Sequence, residues 1–156
     1  MTALCVIGIG SPFGDDQLGW EVVKLLTQRP ALQPFIPNQV QLLYCDRPGM
    51  HLLEMMRGAQ SVFLIDAVKT GASIGTIHHF RNEDITAIND TLSTHGLGVA
   101  AAIKMGATLN ILPDNVILFG IEIGDVQLKF SHSEAITEAI NALAEMIEDE
   151  IIACQE

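Results

Sequence analysis

Two aspartates and one histidine occur at the ends of predicted strands or at the starts of predicted helices. Asp16 comes just after the glycine-rich segment IGIGSPFG, and Asp66 ends the apolar run SVFLID. His95 lies in STHGLG, at the start of a segment that is compatible with a helix. In a parallel α/β sheet such positions share the edge at which ligands bind. We therefore expect Asp16, Asp66 and His95 to converge on one site.

Such a trio would suit a divalent metal ion. Two carboxylates ~4 Å apart repel by about 4 kcal/mol at an effective dielectric of about 20, and a divalent cation removes that penalty. Three protein ligands leave positions open for water or substrate, and a set of oxygen and nitrogen donors favours nickel or zinc. Taken singly, each residue also has a simpler interpretation, as a hydrogen-bonded structural acid or a surface histidine.

The glycine-rich segment also invites comparison with dinucleotide-binding turns. Gly8, Gly10 and Gly14 follow a strand and open a helix, and Asp46 could act as the ribose-binding acid. The glycine spacing is one residue too long, however, and the two aspartates directly after Gly14 would lie where a pyrophosphate must bind. Their charge would oppose that binding, so nucleotide binding is disfavoured.

Strand and helix patterns alternate along the chain, which predicts an α/β fold. The expected architecture is a three-layer sandwich, with a twisted, mostly parallel sheet of about five strands and helices on both faces. Adjacent His78 and His79 should face opposite sides of their strand and share no site. The predicted strands are 3–9, 39–45, 61–68, 75–80 and 115–123; the predicted helices are 15–29, 49–58, 94–109 and a last helix after a capping box of Ser131 and Glu134, with a Pro-rich loop at 29–39.

Length and composition limit the classes of protein to consider. A chain of 156 residues suits one domain, 1–156, and 49% hydrophobic residues exclude disorder. Nineteen acidic against eight basic residues give a net charge of -11, which disfavours nucleic acid as a partner and favours a monomer. No apolar stretch reaches the ~18 residues of a membrane span and the N-terminus lacks a signal-peptide pattern, so we expect no membrane association and a cytoplasmic location.

Five sequence blocks, in this order and spacing, carry a resemblance to a known family. The blocks are VIGIGSPFGDDQLGWEVV (6–23), DRPGMHLLEMM (46–56), VFLIDAV (62–68), STHGLG (93–98) and LFGIEI (118–123). Together they resemble the hydrogenase maturation proteases, endopeptidases that remove a C-terminal extension from the large subunit of nickel–iron hydrogenases. This chain departs from the family's usual asparagine, glycine and proline at Ser11, Gln17 and Ile123.

The resemblance implies a metal-dependent endopeptidase that acts on a large-subunit precursor after nickel insertion. Nickel carried by the precursor would be held by Asp16, Asp66 and His95, and zinc or cadmium could replace it experimentally. The metal would polarise the scissile carbonyl or a water molecule. The resemblance thus assigns the metal to the same three residues.

Further residues follow from the same resemblance. Asp46, Gly49 and His51 are expected to line the substrate cleft. No serine or cysteine nucleophile with a neighbouring base is evident, so the reaction would need the metal. The prediction that the protein is a hydrolase therefore rests on the metal site and on the resemblance. A non-catalytic nickel-binding assembly chaperone is therefore the alternative function.

Overall fold

The structure is a computed structural model that describes residues 2–10, 17–46, 48–86, 99–124 and 134–155. Within these residues five strands form one sheet. The strands are β1 (Thr2–Gly10), β2 (Val40–Asp46), β3 (Ala59–Val68), β4 (Ile77–Arg81) and β5 (Asn115–Glu122). The helices are α1 (Leu18–Thr27), a 3₁₀ helix (Pro30–Phe35), α2 (His51–Met56), α3 (Glu83–Thr86), α4 (Val99–Thr108) and α5 (Glu134–Gln155).

The strand order is β2-β1-β3-β5-β4. The first four strands of this order are parallel, and β4 runs antiparallel to β5 at one edge. The carboxyl ends of β1, β2, β3 and β5 therefore lie along one edge of the sheet. This arrangement confirms the predicted mostly parallel sheet of five strands.

The two faces of the sheet carry separate apolar cores because successive side chains of a strand point to opposite sides. One core joins Phe63 and Ile65 of β3 to α1 and α5, and we call this side the α1/α5 face. The other core joins Val62 and Leu64 to α2, α3 and α4, which defines the α2–α4 face. Helices thus cover both faces, as the three-layer prediction requires. No helix in the described part of the chain has the length and apolarity needed to cross a membrane.

Two glycines let α1 lie directly against the sheet. A Cβ on Gly8 of β1 would come 2.8 Å from the backbone carbon of Gly19 in α1, and one on Gly19 would come 2.6 Å from the carbonyl oxygen of Ile65. Because the obstacles are backbone atoms, they cannot rotate away. The glycine that begins the motif therefore serves close helix–strand packing, which is one of the functions of glycine in such turns.

Some predicted elements differ from the structure. The Pro-rich segment predicted as a loop contains the 3₁₀ helix, because short i to i+3 turns tolerate proline at their start. The short helix α3 has no counterpart among the predicted elements. The capping box at Ser131 and the start of the predicted helix at residue 94 lie outside the described residues.

We expect Gly19→Ala to lower the free energy of unfolding by about 2–4 kcal/mol, because the new methyl group must displace the backbone of β1 or β3. Gly106→Ala is the matched control within α4. There the added methyl group meets the ends of the Leu53 and Leu112 side chains, which can move. Urea denaturation should show a change of less than about 1 kcal/mol for the control. Equal losses in the two variants would contradict the packing argument.

Candidate functional site

The carboxyl edge of the sheet holds the predicted site residues that the structure describes. Asp66 lies near the end of β3, and Asp46 is the last residue of β2. Gly49 and His51 follow at the turn into α2 and at its first residue. Asp16 and His95 lie outside the described residues, so the convergence of the three ligands stays a prediction.

Asp66 is a carboxylate enclosed by the protein. Its residue is only 1% exposed, and its Oδ1 accepts a hydrogen bond from the backbone N–H of Ala67 at 2.8 Å. Its neighbours along the strand, Ile65 and Ala67, belong to the core on the α1/α5 face. Asp66 therefore projects on the α2–α4 face of the sheet.

Cys45 of β2 lies on the same face as Asp66. Cys45 pairs in register with Ile9, and Asp66 follows Ile65, the partner of Gly8, so the two side chains flank β1 at the same level. Burial, and then the charges of Asp66 and Asp46, raise the pKa of the Cys45 thiol to about 12. A pKa this high favours the protonated thiol at neutral pH, which makes Cys45 a poor nucleophile.

The expected substrate-cleft residues are accessible. Asp46 and His51 are exposed, and Gly49 has a positive φ of 53° with no heavy atom within 4 Å of an added Cβ. The end of β2 is fixed by Trp20 of α1, whose Nε1 donates a hydrogen bond to the carbonyl oxygen of Cys45 at 2.7 Å. A rigid strand end followed by an open turn leaves room for a peptide, and the cleft assignment remains a prediction.

A second buried carboxylate, Glu122, lies at the carboxyl end of β5 with 1% exposure. Its Oε1 accepts a hydrogen bond from the Thr70 hydroxyl at 2.6 Å and lies 2.9 Å from Nε2 of His78. Its Oε2 accepts hydrogen bonds from the backbone N–H groups of Thr70 at 2.8 Å and Gly71 at 3.3 Å. Desolvation by burial opposes ionisation, but the hydrogen bonds from Thr70, His78 and Gly71 outweigh it, so the pKa of Glu122 is lowered.

The side chains of His78 and His79 lie on opposite faces of β4, as predicted, but the sequence did not reveal the contact of His78 with Glu122. His79 contacts Phe119 of the α1/α5 core, whereas His78 stacks on Phe80, which packs against the other core. The interaction between His78 and Glu122 was missed because it joins residues 44 positions apart. A signal was present, since Glu122 interrupts the apolar run LFGIEI as Asp66 interrupts its own run.

Within the described ranges, no three His, Cys, Asp or Glu side chains lie close enough together to hold a metal ion. Asp66 is the predicted ligand that those ranges include. Its burial and its oxygen donors fit a divalent cation, because a cation would offset the desolvation of the carboxylate.

Comparison with known proteins assigns the chain to a family. The family model described as hydrogenase maturation protease matches residues 20–150. The chain belongs to the hydrogenase maturation protease family. The matched range includes the positions of Asp66 and His95, whereas Asp16 precedes it. The resemblance predicted from the sequence blocks is thereby confirmed.

Similar proteins include curated relatives and solved structures. The hydrogenase expression/formation protein HupD of Rhodobacter capsulatus is 27% identical over 149 residues, which cover 85% of this chain and 69% of that protein. The corresponding match to HoxM of Azotobacter vinelandii is 25% identical and covers 78% of this chain and 59% of that protein. The chain thus spans about three fifths to two thirds of the length of these relatives.

The fold is shared with maturation proteases of known structure. The hydrogenase maturating endopeptidase HybD from E. coli superposes with a TM-score of 0.80 at 23% identity, covering 94% of this chain and 90% of that one. The [NiFe] hydrogenase maturation protease HycI from Thermococcus kodakarensis KOD1 gives a TM-score of 0.66 at 25% identity, covering 95% and 91%. These structures confirm the α/β fold.

We expect Asp66→Asn to lower the pKa of the Cys45 thiol, because the variant removes the larger of its two charge contributions. The pKa should stay above the ordinary 9.0, since burial is the main cause of the shift. The alkylation rate of Cys45 by iodoacetamide, followed by peptide mass spectrometry between pH 8 and 11, measures the change.

Asp46→Asn is the control and should accelerate this alkylation less, because Asp46 contributes less to the pKa of Cys45. Exposed Cys154 provides an internal reference for reagent activity. An unchanged rate in Asp66→Asn would show that the Asp66 charge does not act on this thiol.

The lowered pKa of Glu122 makes its contribution to stability depend on pH. The ionised form is favoured in the folded state, so the contribution is fully present above the ordinary pKa of 4.5 and is lost as pH falls through the lower folded value. The difference in free energy of unfolding between wild type and Glu122→Gln should therefore be largest at neutral pH and shrink below pH 4.5.

Urea denaturation at several pH values measures this difference. Glu138→Gln, at an exposed position of α5, is the control for the loss of one charge and should change stability by less than about 0.5 kcal/mol. A gap between wild type and Glu122→Gln that widened toward acid pH would contradict the sign of the shift.

Proposed function

We propose that this chain is the endopeptidase that removes the C-terminal extension of a nickel–iron hydrogenase large-subunit precursor after nickel insertion. The observation that carries the proposal is the family match over residues 20–150. The buried carboxylate of Asp66 at the ligand-binding edge of the sheet supports it. In this proposal the precursor is the macromolecular partner, and the acidic chain acts as a monomer in the cytoplasm.

Nickel is treated as part of the substrate, carried by the precursor. Asp16, Asp66 and His95 would bind it from one side, and the bound metal would supply Lewis-acid polarisation of the scissile carbonyl or of a water molecule. Asp66 suits this role because a desolvated carboxylate gains more from a nearby cation than a hydrated one.

The open turn after β2 would receive the peptide. In this proposal Asp46 and His51 contact the substrate, and the lack of a side chain at Gly49 leaves space for the peptide backbone. The hydrogen bond from Trp20 to the end of β2 would keep this side of the cleft fixed. The positioning of the scissile bond then depends on rigid elements rather than on a long loop.

A second candidate is a nickel-binding assembly chaperone that does not cut the precursor. It draws support from the curated relatives, whose names describe expression/formation proteins. The high pKa of Cys45 agrees with this candidate, because a protonated thiol is a poor nucleophile. Both candidates need the same metal-binding residues and differ in whether a peptide bond is broken.

Incubation with nickel-loaded large-subunit precursor, followed by intact mass spectrometry, tests the proposal. We expect a shortened product with the wild type and none with Asp16→Asn, Asp66→Asn or His95→Ala, while circular dichroism stays native. Asp15→Asn is the matched control beside Asp16 and should retain processing. Unchanged precursor mass with retained metal binding would favour the chaperone and contradict the endopeptidase.

A further inference from the structure

Glu122 is enclosed by donors from two other parts of the chain. Thr70 and Gly71 belong to the turn that follows β3, and His78 belongs to the edge strand β4. The two carboxylate oxygens receive the Thr70 hydroxyl, the Thr70 and Gly71 N–H groups and the His78 ring. One side chain of β5 therefore ties the β3–β4 connection to the sheet.

The main chain reinforces the same connection. The N–H of Gly75 donates to the carbonyl oxygen of Glu122 at 2.9 Å, and the N–H of Glu122 donates to the carbonyl oxygen of Thr76 at 2.9 Å. The N–H of Ile123 donates to the carbonyl oxygen of Val68, the last residue of β3, at 3.0 Å. Both ends of the connection are thus held where β5 ends.

Asp66 and Glu122 lie on the same face of neighbouring strands. Asp66 pairs in register with Gly120, and Val68 pairs with Glu122. Measured along the strands, Glu122 therefore lies about 6–7 Å closer to the carboxyl edge of the sheet than Asp66. The Val68 side chain covers Gly120, where an added Cβ would come 2.7 Å from Val68 Cγ1. The turn held by Glu122 follows Val68 directly in the chain, so it begins close to Asp66.

The saturation of this carboxylate indicates what it does. Its two oxygens already interact with four donor groups, and the residue is 1% exposed, so it has neither access to a peptide nor a free site for a proton transfer. Such a group acts through the segment that it holds. That segment is the turn directly after the strand that carries Asp66.

We propose that Glu122 is a positioning residue for the reaction: with His78 and Thr70 it fixes the turn after β3 and thereby holds Asp66 in place at the metal-binding edge. This inference rests on the proposed function, because it assumes that Asp66 binds the metal carried by the precursor. Groups that orient metal ligands commonly change affinity or activity about 10–100-fold when they are altered.

Two measurements on Glu122→Gln test this role. Amide hydrogen exchange reports whether the segment from Asp66 to Gly71 opens, and it should become about tenfold faster there while β1 and α5 stay unchanged. Processing of nickel-loaded precursor should show kcat reduced about tenfold or more, with KM within about twofold of the wild type. Both assays are run at a temperature at which the variant is fully folded.

Thr70 supplies a second pair of variants. Thr70→Val removes the hydroxyl that donates to Glu122. It should show the same faster local exchange and lower kcat, and it replaces Glu122→Gln as the test if that variant does not fold. Thr70→Ser keeps the hydroxyl and should restore wild-type values. Wild-type values in Thr70→Ser together with losses in Thr70→Val would show that the hydroxyl, and not the shape of the side chain, is needed.

Asn82→Gly is the matched control at the opposite end of β5. Asn82 has a positive φ of 45°, which glycine tolerates, and its Oδ1 accepts a hydrogen bond from the Val116 N–H at 3.0 Å. The variant therefore removes a side-chain anchor of the same strand at the edge away from Asp66. Its exchange at the turn and its kcat should match the wild type.

Unchanged exchange between Asp66 and Gly71 in Glu122→Gln would overturn the inference. Faster exchange with unchanged kcat would also overturn it, because the tether would then be structural only. If the wild type leaves the nickel-loaded precursor uncut, the proposed function fails together with the catalytic consequence. The exchange data would still decide separately whether Glu122 holds the turn.

Discussion

The removal of the Asp66 carboxylate from water is the constraint on which the organisation of this protein's functional edge depends. Burying an ionised carboxylate costs several kcal/mol unless hydrogen bonds or a cation compensate. The Ala67 amide provides part of that compensation. Under the proposed function, a cation brought by the substrate would provide more. Metal binding would then be the functional reason for the cost of burying this side chain.

The sheet provides the rigid frame that such a carboxylate needs. Four parallel strands bring their carboxyl ends to one edge, and packing of α1 through Gly8 and Gly19 fixes the strand beside Asp66. On the other side, antiparallel β4 returns along β5 and contributes His78 to the network of Glu122. The proposed ligand therefore lies between two strands whose positions are fixed by packing on one side and by polar contacts on the other.

The sequence predicts the parts of this structure that depend on local pattern. Apolar runs and their periodicity give the strands and helices, and an acid that ends a buried run marks Asp66. The network around Glu122 could not be predicted in the same way, because it requires the strand order and the register of β4. His78 and Glu122 are 44 residues apart, and only an antiparallel neighbour brings them to 2.9 Å. The 3₁₀ helix was missed because proline signals turns and short helices alike.

The proposed function requires Asp16, Asp66 and His95 to bind one metal ion together. A crystal structure of the protein soaked with cadmium, with anomalous diffraction data, would show this directly. We expect one strong anomalous peak at the carboxyl edge, about 2–2.5 Å from a carboxylate oxygen of each aspartate and from a nitrogen of the imidazole. Side chains that point apart, with cadmium bound elsewhere or not at all, would contradict the shared site.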